Sequence, residues 1–125
     1  MNGVYYRSTV VRLGEEVEDM LREGVLIFFA EPLPAVLESV SIVHQPTLIQ
    51  TDAVREGHLL RIGGRIVTIR AVGQLATHNL RTLGHLVVYA DGATEPMLPG
   101  AIHVDSCEWS APQPGEIIEL WTGDL

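Results

Sequence analysis

The chain carries the same pattern twice. In the first half a strand-like stretch, Val4 to Leu13, ends at Gly14; a short helical segment contains Leu21-Arg22; Gly24 follows, then the apolar run Val25 to Ala30, a loop with Pro32 and Pro34, and a further strand. In the second half a strand ends at Gly73; a helical segment contains Leu80-Arg81; Gly84 follows, then His85 to Ala90, a loop with Pro96 and Pro99, and a further strand. The second copy is longer by one residue, within the helix. Each copy reads β-α-β-β. A unit this small cannot bury its own apolar face, so the two copies are expected to share one core about a pseudo-twofold axis. Many short strands between turns predict a mainly β fold: a closed or nearly closed small barrel with two short helices, an internal duplication within a single domain, 1–125.

The local signals agree. Val17, Met20 and Leu21 stand at i, i+3 and i+4 in Glu15 to Glu23, with acids in the first turn and Gly24 as the C-terminal cap. Ala76, Leu80 and Leu83 stand at i, i+4 and i+7 in Gln74 to Leu83, capped by Gly84. Leu59 to Ile62, Gly63-Gly64 and Arg65 to Ile69 predict a tight hairpin, because glycine accepts positive φ cheaply. Thr47 to Gln50 offers a further short strand. Ala101 to Val104 and Glu116 to Trp121 are the last two, the second entered through Pro112-Gln113-Pro114-Gly115.

Val40 to Pro46 is the stretch with chemical interest. Val40, Ile42 and His44 share one strand face; Ser41 and Val43 share the other. Pro46 lacks a backbone donor, so the strand is expected to stop there and leave His44 at a strand end, open to solvent. An imidazole so placed suits reversible chemistry near neutral pH. A partly buried histidine bonded to a loop fits the same residues. Of the other histidines, His58 and His78 are expected to be exposed. The His85 ring is placed to bond the free carbonyls of a helix end, and His103 faces away from Ile102 and Val104, towards solvent.

Several classes of function drop out. There is no GxxxxGK[ST] phosphate loop, no HExxH and no paired-cysteine metal motif, and no two histidines share an i, i+4 helix face. A metal site would need three distant strands to converge. No serine sits in a GxSxG elbow. The formal net charge is -8 and the arginines are scattered from Arg7 to Arg81, which argues against nucleic acid as a partner. The same charge would steer a basic partner protein or simply confer solubility. Cys107 is the single cysteine, so no disulfide framework exists; a small core residue in a reducing compartment is expected. The Met1 to Arg7 stretch lacks the pattern of a signal peptide, and Val25 to Ala30 is too short to span a bilayer. A cytoplasmic location is therefore expected.

Ala71-Val72-Gly73, Asn79-Leu80-Arg81-Thr82-Leu83-Gly84-His85, Asp91-Gly92 and Pro99-Gly100-Ala101-Ile102-His103-Val104 together resemble the glucitol/sorbitol-specific IIA component of the bacterial phosphoenolpyruvate:sugar phosphotransferase system (PTS). Arg12-Leu13-Gly14 and the length fit as well, so the resemblance spans essentially the whole chain. In that family a histidine ending an apolar strand of the first half accepts the phosphoryl group; the matching position is His44, after Ser41-Ile42-Val43. Some members carry a second histidine two positions on, where this chain has Pro46. The resemblance implies a phosphotransferase relay that needs no metal or cofactor. Phospho-HPr donates to His44, which passes the group to a cysteine on the IIB part of the sorbitol permease, so any contact with the membrane is indirect, through the IIB/IIC components. The Thr47 hydroxyl, backbone N–H groups near Gln45 and Thr47, His85 or His103 could hold the phosphoryl oxygens. A regulatory binding module that kept the fold and lost the relay is the alternative. A small-ligand barrel would need a deep cavity, against which the apolar density of the strands argues.

Overall fold

Gly14 and Gly73 show why the two halves fold alike. The Gly14 N–H bonds the Ser41 carbonyl at 2.9 Å, and the Gly73 N–H bonds the Ala101 carbonyl at 2.8 Å. At each position the returning loop runs so close that a Cβ would lie 2.3 Å from a backbone oxygen, of Glu38 and Ser39 in one half and of Pro99 in the other. Two residues on, Glu16 N–H bonds Ser39 and Leu75 N–H bonds Pro99, both at 2.8 Å. The glycines are therefore demanded by close approach of backbone to backbone, in matching places.

The computed structural model describes residues 3–123; Met1 and Asn2, part of the stretch read above for a leader, lie outside them. The elements are β1 (Val4–Leu13), α1 (Val17–Arg22), β2 (Val25–Ala30), a 3-10 helix (Ala35–Val40), β3 (Ile42–Ile49), β4 (Leu59–Ile62), β5 (Arg65–Val72), α2 (Ala76–Leu83), β6 (Leu86–Tyr89), β7 (Ala101–Val104) and β8 (Ile117–Trp121). The strands close into a barrel in the order β1-β3-β2-β6-β7-β5-β4-β8. The triplets β1-β3-β2 and β5-β7-β6 are equivalent. They join through antiparallel β2 and β6, where Ile27 faces Val87. These two residues hold the same place in the two copies, so the pseudo-twofold passes between them. On the far side β4 and β8 close the wall, with Arg61 opposite Glu119. Even the irregularities repeat: β1 shifts register between Val10 and Arg12 as β5 does between Ile69 and Ala71.

Leu26, Ile42, Leu60, Ile69, Ile102 and Leu120 are fully buried and fill the barrel, as the apolar strands predict. The Gly63-Gly64 hairpin forms with Leu59 opposite Thr68 and Ile62 opposite Arg65. Two expectations need correction. A third short helix, the 3-10 turn at Ala35–Val40, follows the extended Pro34, whose carbonyl accepts the Leu37 N–H at 2.9 Å. And β3 does not stop at Pro46; it runs on to Ile49. Parallel pairing with β2 ends at Ala30 opposite His44, so beyond His44 one edge of β3 has no β2 partner. A missing N–H is tolerated on such an edge, and β3 also bulges here, Ser8 facing Pro46 while Arg7 faces Leu48.

Candidate functional site

His44 points into the barrel, on the same face of β3 as the core residue Ile42. It is 2% exposed, so the open strand end expected for it is not found. The reason is the continuation of β3 together with the end of α2, which folds over it. The His44 ring lies edge-on to Phe28 at 5.8 Å between centroids and to Tyr6 at 6.4 Å. The buried Tyr6 hydroxyl has no hydrogen-bond partner among the described residues.

Both ring nitrogens of His44 are engaged. Nε2 is 2.6 Å from the carbonyl oxygen of Gly84, and Nδ1 is 2.5 Å from Oγ of Ser8. A carbonyl only accepts, so Nε2 carries the proton and Nδ1 takes the Ser8 hydroxyl as donor. Burial pulls the His44 pKa below its ordinary value, partly offset by the bond to Gly84, and the imidazole is held neutral. Gly84 suits its place: it caps α2 at φ +63, and a Cβ there would stand 2.4 Å from Cβ of Ala30. Near this end of the barrel the surface carries exposed Leu83, and Val11 in the bulge beside the Val10–His44 pair.

The other residues singled out from sequence do not converge on His44. His85 follows Gly84, but its ring sits outside the barrel, stacked on Phe29 at 4.4 Å with Nδ1 3.2 Å from the Phe28 carbonyl. Its backbone N–H, rather than its ring, caps α2 by bonding Asn79 O at 3.2 Å. Thr47 is exposed on β3, its hydroxyl 3.3 Å from the Arg7 carbonyl. His103 lies three strand spacings round the wall from His44, roughly 14 Å, and on the opposite face. It does face away from Ile102 and Val104, but it is 1% exposed, not wet. The 91–100 loop covers it: Nδ1 is 2.9 Å from Asp91, Nε2 accepts the Met97 N–H at 3.1 Å, and Tyr89 stacks at 5.1 Å. Burial raises the Asp91 pKa, but the bonds from His103 and the Ala93 N–H outweigh this and hold it below the carboxylate range. His58 is half-buried against Tyr5, 2.8 Å from its hydroxyl, while His78 is exposed as expected.

Ser8 and Gly84 are the contacts that sequence reasoning missed. Ser8 left a signal: it interrupts the inward face of β1, Tyr6–Ser8–Val10, with a small hydroxyl. Gly84 acts through its carbonyl, which no residue type announces. Among the described residues no group of three or more His, Cys, Asp or Glu side chains could hold a metal ion, and no helix is long and apolar enough to cross a membrane. Cys107 is half-buried against the core and lines a cleft of about 670 Å³ beneath α1.

Comparison with known proteins places this geometry in context. The family model described as "PTS system glucitol/sorbitol-specific IIA component" matches residues 5–119. Two relatives named as the PTS system glucitol/sorbitol-specific EIIA component, from Shigella flexneri and Escherichia coli K12, are each 34% identical over 117 residues, covering 94% of this chain and 94% of theirs. The crystal structure of a PTS system IIA component from Enterococcus faecalis V583 superposes with a TM-score of 0.78, covering 92% of this chain and 98% of that one. At 21% identity that likeness is one of fold.

Proposed function

The chain belongs to the glucitol/sorbitol-specific IIA family of the PTS, and from that premise we propose that it carries a phosphoryl group on His44, taking it from phospho-HPr and passing it to the IIB component of a glucitol/sorbitol permease in the cytoplasm. The observation that carries this reading is a buried, uncharged imidazole inside a mainly apolar barrel, at the place where the matching half has Val104. The fold packs with valine there, so the histidine answers a need other than packing.

The chemistry asks little of the protein. A ring nitrogen of His44 attacks the phosphorus, the new N–P bond forms as the donor histidine's N–P bond breaks, and the electron pair returns to the donor nitrogen. In the second step the IIB thiolate takes the phosphoryl group and His44 recovers its lone pair. Such transfers depend on alignment and charge stabilisation. A neutral imidazole keeps one nitrogen lone pair for attack, so it need not change its net charge to act as nucleophile. The ring must be uncovered for a partner to reach it. Ser8 sits in a strand paired on both sides, whereas Gly84 belongs to a helix-ending turn. Of the two covers, the turn is the one whose shift would uncover Nε2 without breaking a strand pairing.

The test is a chase. The chain is loaded with phosphate by phosphoenolpyruvate, enzyme I and HPr, separated, and mixed with the IIB component. Loss of phosphate from the chain with equal gain on the IIB cysteine is the expected result. A loaded chain that keeps its phosphate contradicts the relay and favours a regulatory module.

A further inference from the structure

Comparison of the two halves isolates one more residue. The interior positions of one copy have counterparts in the other: Val10 with Ile69, Phe28 with Val88, Ile42 with Ile102, all apolar and buried. At two interior positions a polar residue stands where the other half has valine. His44 corresponds to Val104, and Ser8 corresponds to Val67. Ser8 faces Ile118 of β8 as Val67 faces Leu60 of β4, which fixes the correspondence. Polar residues thus occur together at the two positions where the other half is content with valine, and they touch, 2.5 Å apart. Replacing a buried polar pair by apolar residues of similar shape is close to neutral for stability, so packing gives no reason for the pair.

We infer that Ser8 is a positioning residue for phosphoryl transfer, its hydroxyl holding Nδ1 of His44 through the reaction. This deepens the phosphocarrier reading and rests on it. Opening of the Gly84 turn frees Nε2 and admits water to the ring; Nε2 gives up its proton to water and water delivers one to Nδ1, so the imidazole changes tautomer and stays neutral. The Ser8 oxygen, a donor to Nδ1 at rest, then becomes the acceptor of Nδ1–H; a hydroxyl serves both roles, where a carbonyl serves one. The Nε2 lone pair forms the N–P bond as the donor's N–P bond breaks. Throughout, Nδ1–H stays on the Ser8 oxygen, so the ring cannot turn away from the line of attack. Ser8 itself touches neither phosphorus nor partner: it is 0% exposed.

The deciding comparison is between two replacements of nearly equal shape. Ser8→Thr keeps the hydroxyl; Ser8→Val removes it, and valine already fits the matching position. Single-turnover phosphorylation by phospho-HPr is measured with nitrogen NMR of the His44 ring in the loaded protein. Expected are a rate for Ser8→Thr close to wild type and a rate for Ser8→Val lower by about 10–100-fold, the scale of a lost alignment, with a His44 Nδ1–H signal that is protected in wild type and Ser8→Thr and exchanges fast in Ser8→Val. If either branched residue fails to fold, Ser8→Ala takes its place against wild type and is expected to match Ser8→Val. A wild-type rate in a folded variant without the hydroxyl overturns the role of Ser8 and leaves the carrier intact. A wild-type protein that takes no phosphate overturns both.

Discussion

At the scale of single residues, the environment of His44 decides its charge. Unfolded, it takes up a proton near pH 6.5; folded, burial delays that uptake to lower pH. Between these two points the unfolded chain binds more protons, so this contribution to stability is complete above about pH 6.5 and is lost as pH falls through the window below it. One proton sets the slope at no more than about 1.4 kcal/mol per pH unit. Urea unfolding from pH 8 to 5 should therefore show a steeper loss for wild type than for His44→Val; parallel curves would show that the ring is not kept neutral by the fold. Residue chemistry was partly legible in sequence. The histidine and its strand face could be read from alternation. Its burial could not, because that depends on the α2 turn arriving from forty residues further along. His103 misled for the same reason: its face was right, but a loop covers it.

At the scale of elements, the duplication is the organising fact, and its glycines made it readable. Gly14, Gly24, Gly73 and Gly84 mark equivalent corners, and each corner brings a helix end or a returning loop against a strand. Gly73→Ala would press a methyl into the Pro99 and Leu98 carbonyls. It should destabilise by about 1–3 kcal/mol, the usual range for overpacking, read as a lower urea midpoint with an unchanged slope; an unchanged midpoint would show that the loop yields freely. The hairpin was legible because two residues, Gly63-Gly64, fix its register locally. Pro46 was misread because a proline's tolerance depends on whether its edge of the strand is paired, and the end of β2 at Ala30 is a tertiary fact.

At the scale of the whole molecule, the pseudo-twofold gives the barrel two equivalent ends, and the buried His44–Ser8 pair stands at one of them. The end with Gly84 and Ala30 encloses the histidine. The end with Gly24 and Ala90 instead borders the cleft beneath α1. The wall closes on itself, and the edge of β3 left without a β2 partner beyond His44 carries Pro46, which blunts it for pairing with another chain. The chain order gave no hint that β4 and β8 would complete the barrel, because β8 comes from the C-terminal segment and lies between β1 and β4. His44, the interior histidine among the described residues, is the proposed point of transfer. The direct measurement is intact mass after incubation with phosphoenolpyruvate, enzyme I and HPr, on wild type and on folded His44→Ala. A single acid-labile phosphate on wild type and none on the variant is the expected result. Phosphate retained by His44→Ala would move the site, with His103 the first histidine to examine, and would contradict the account.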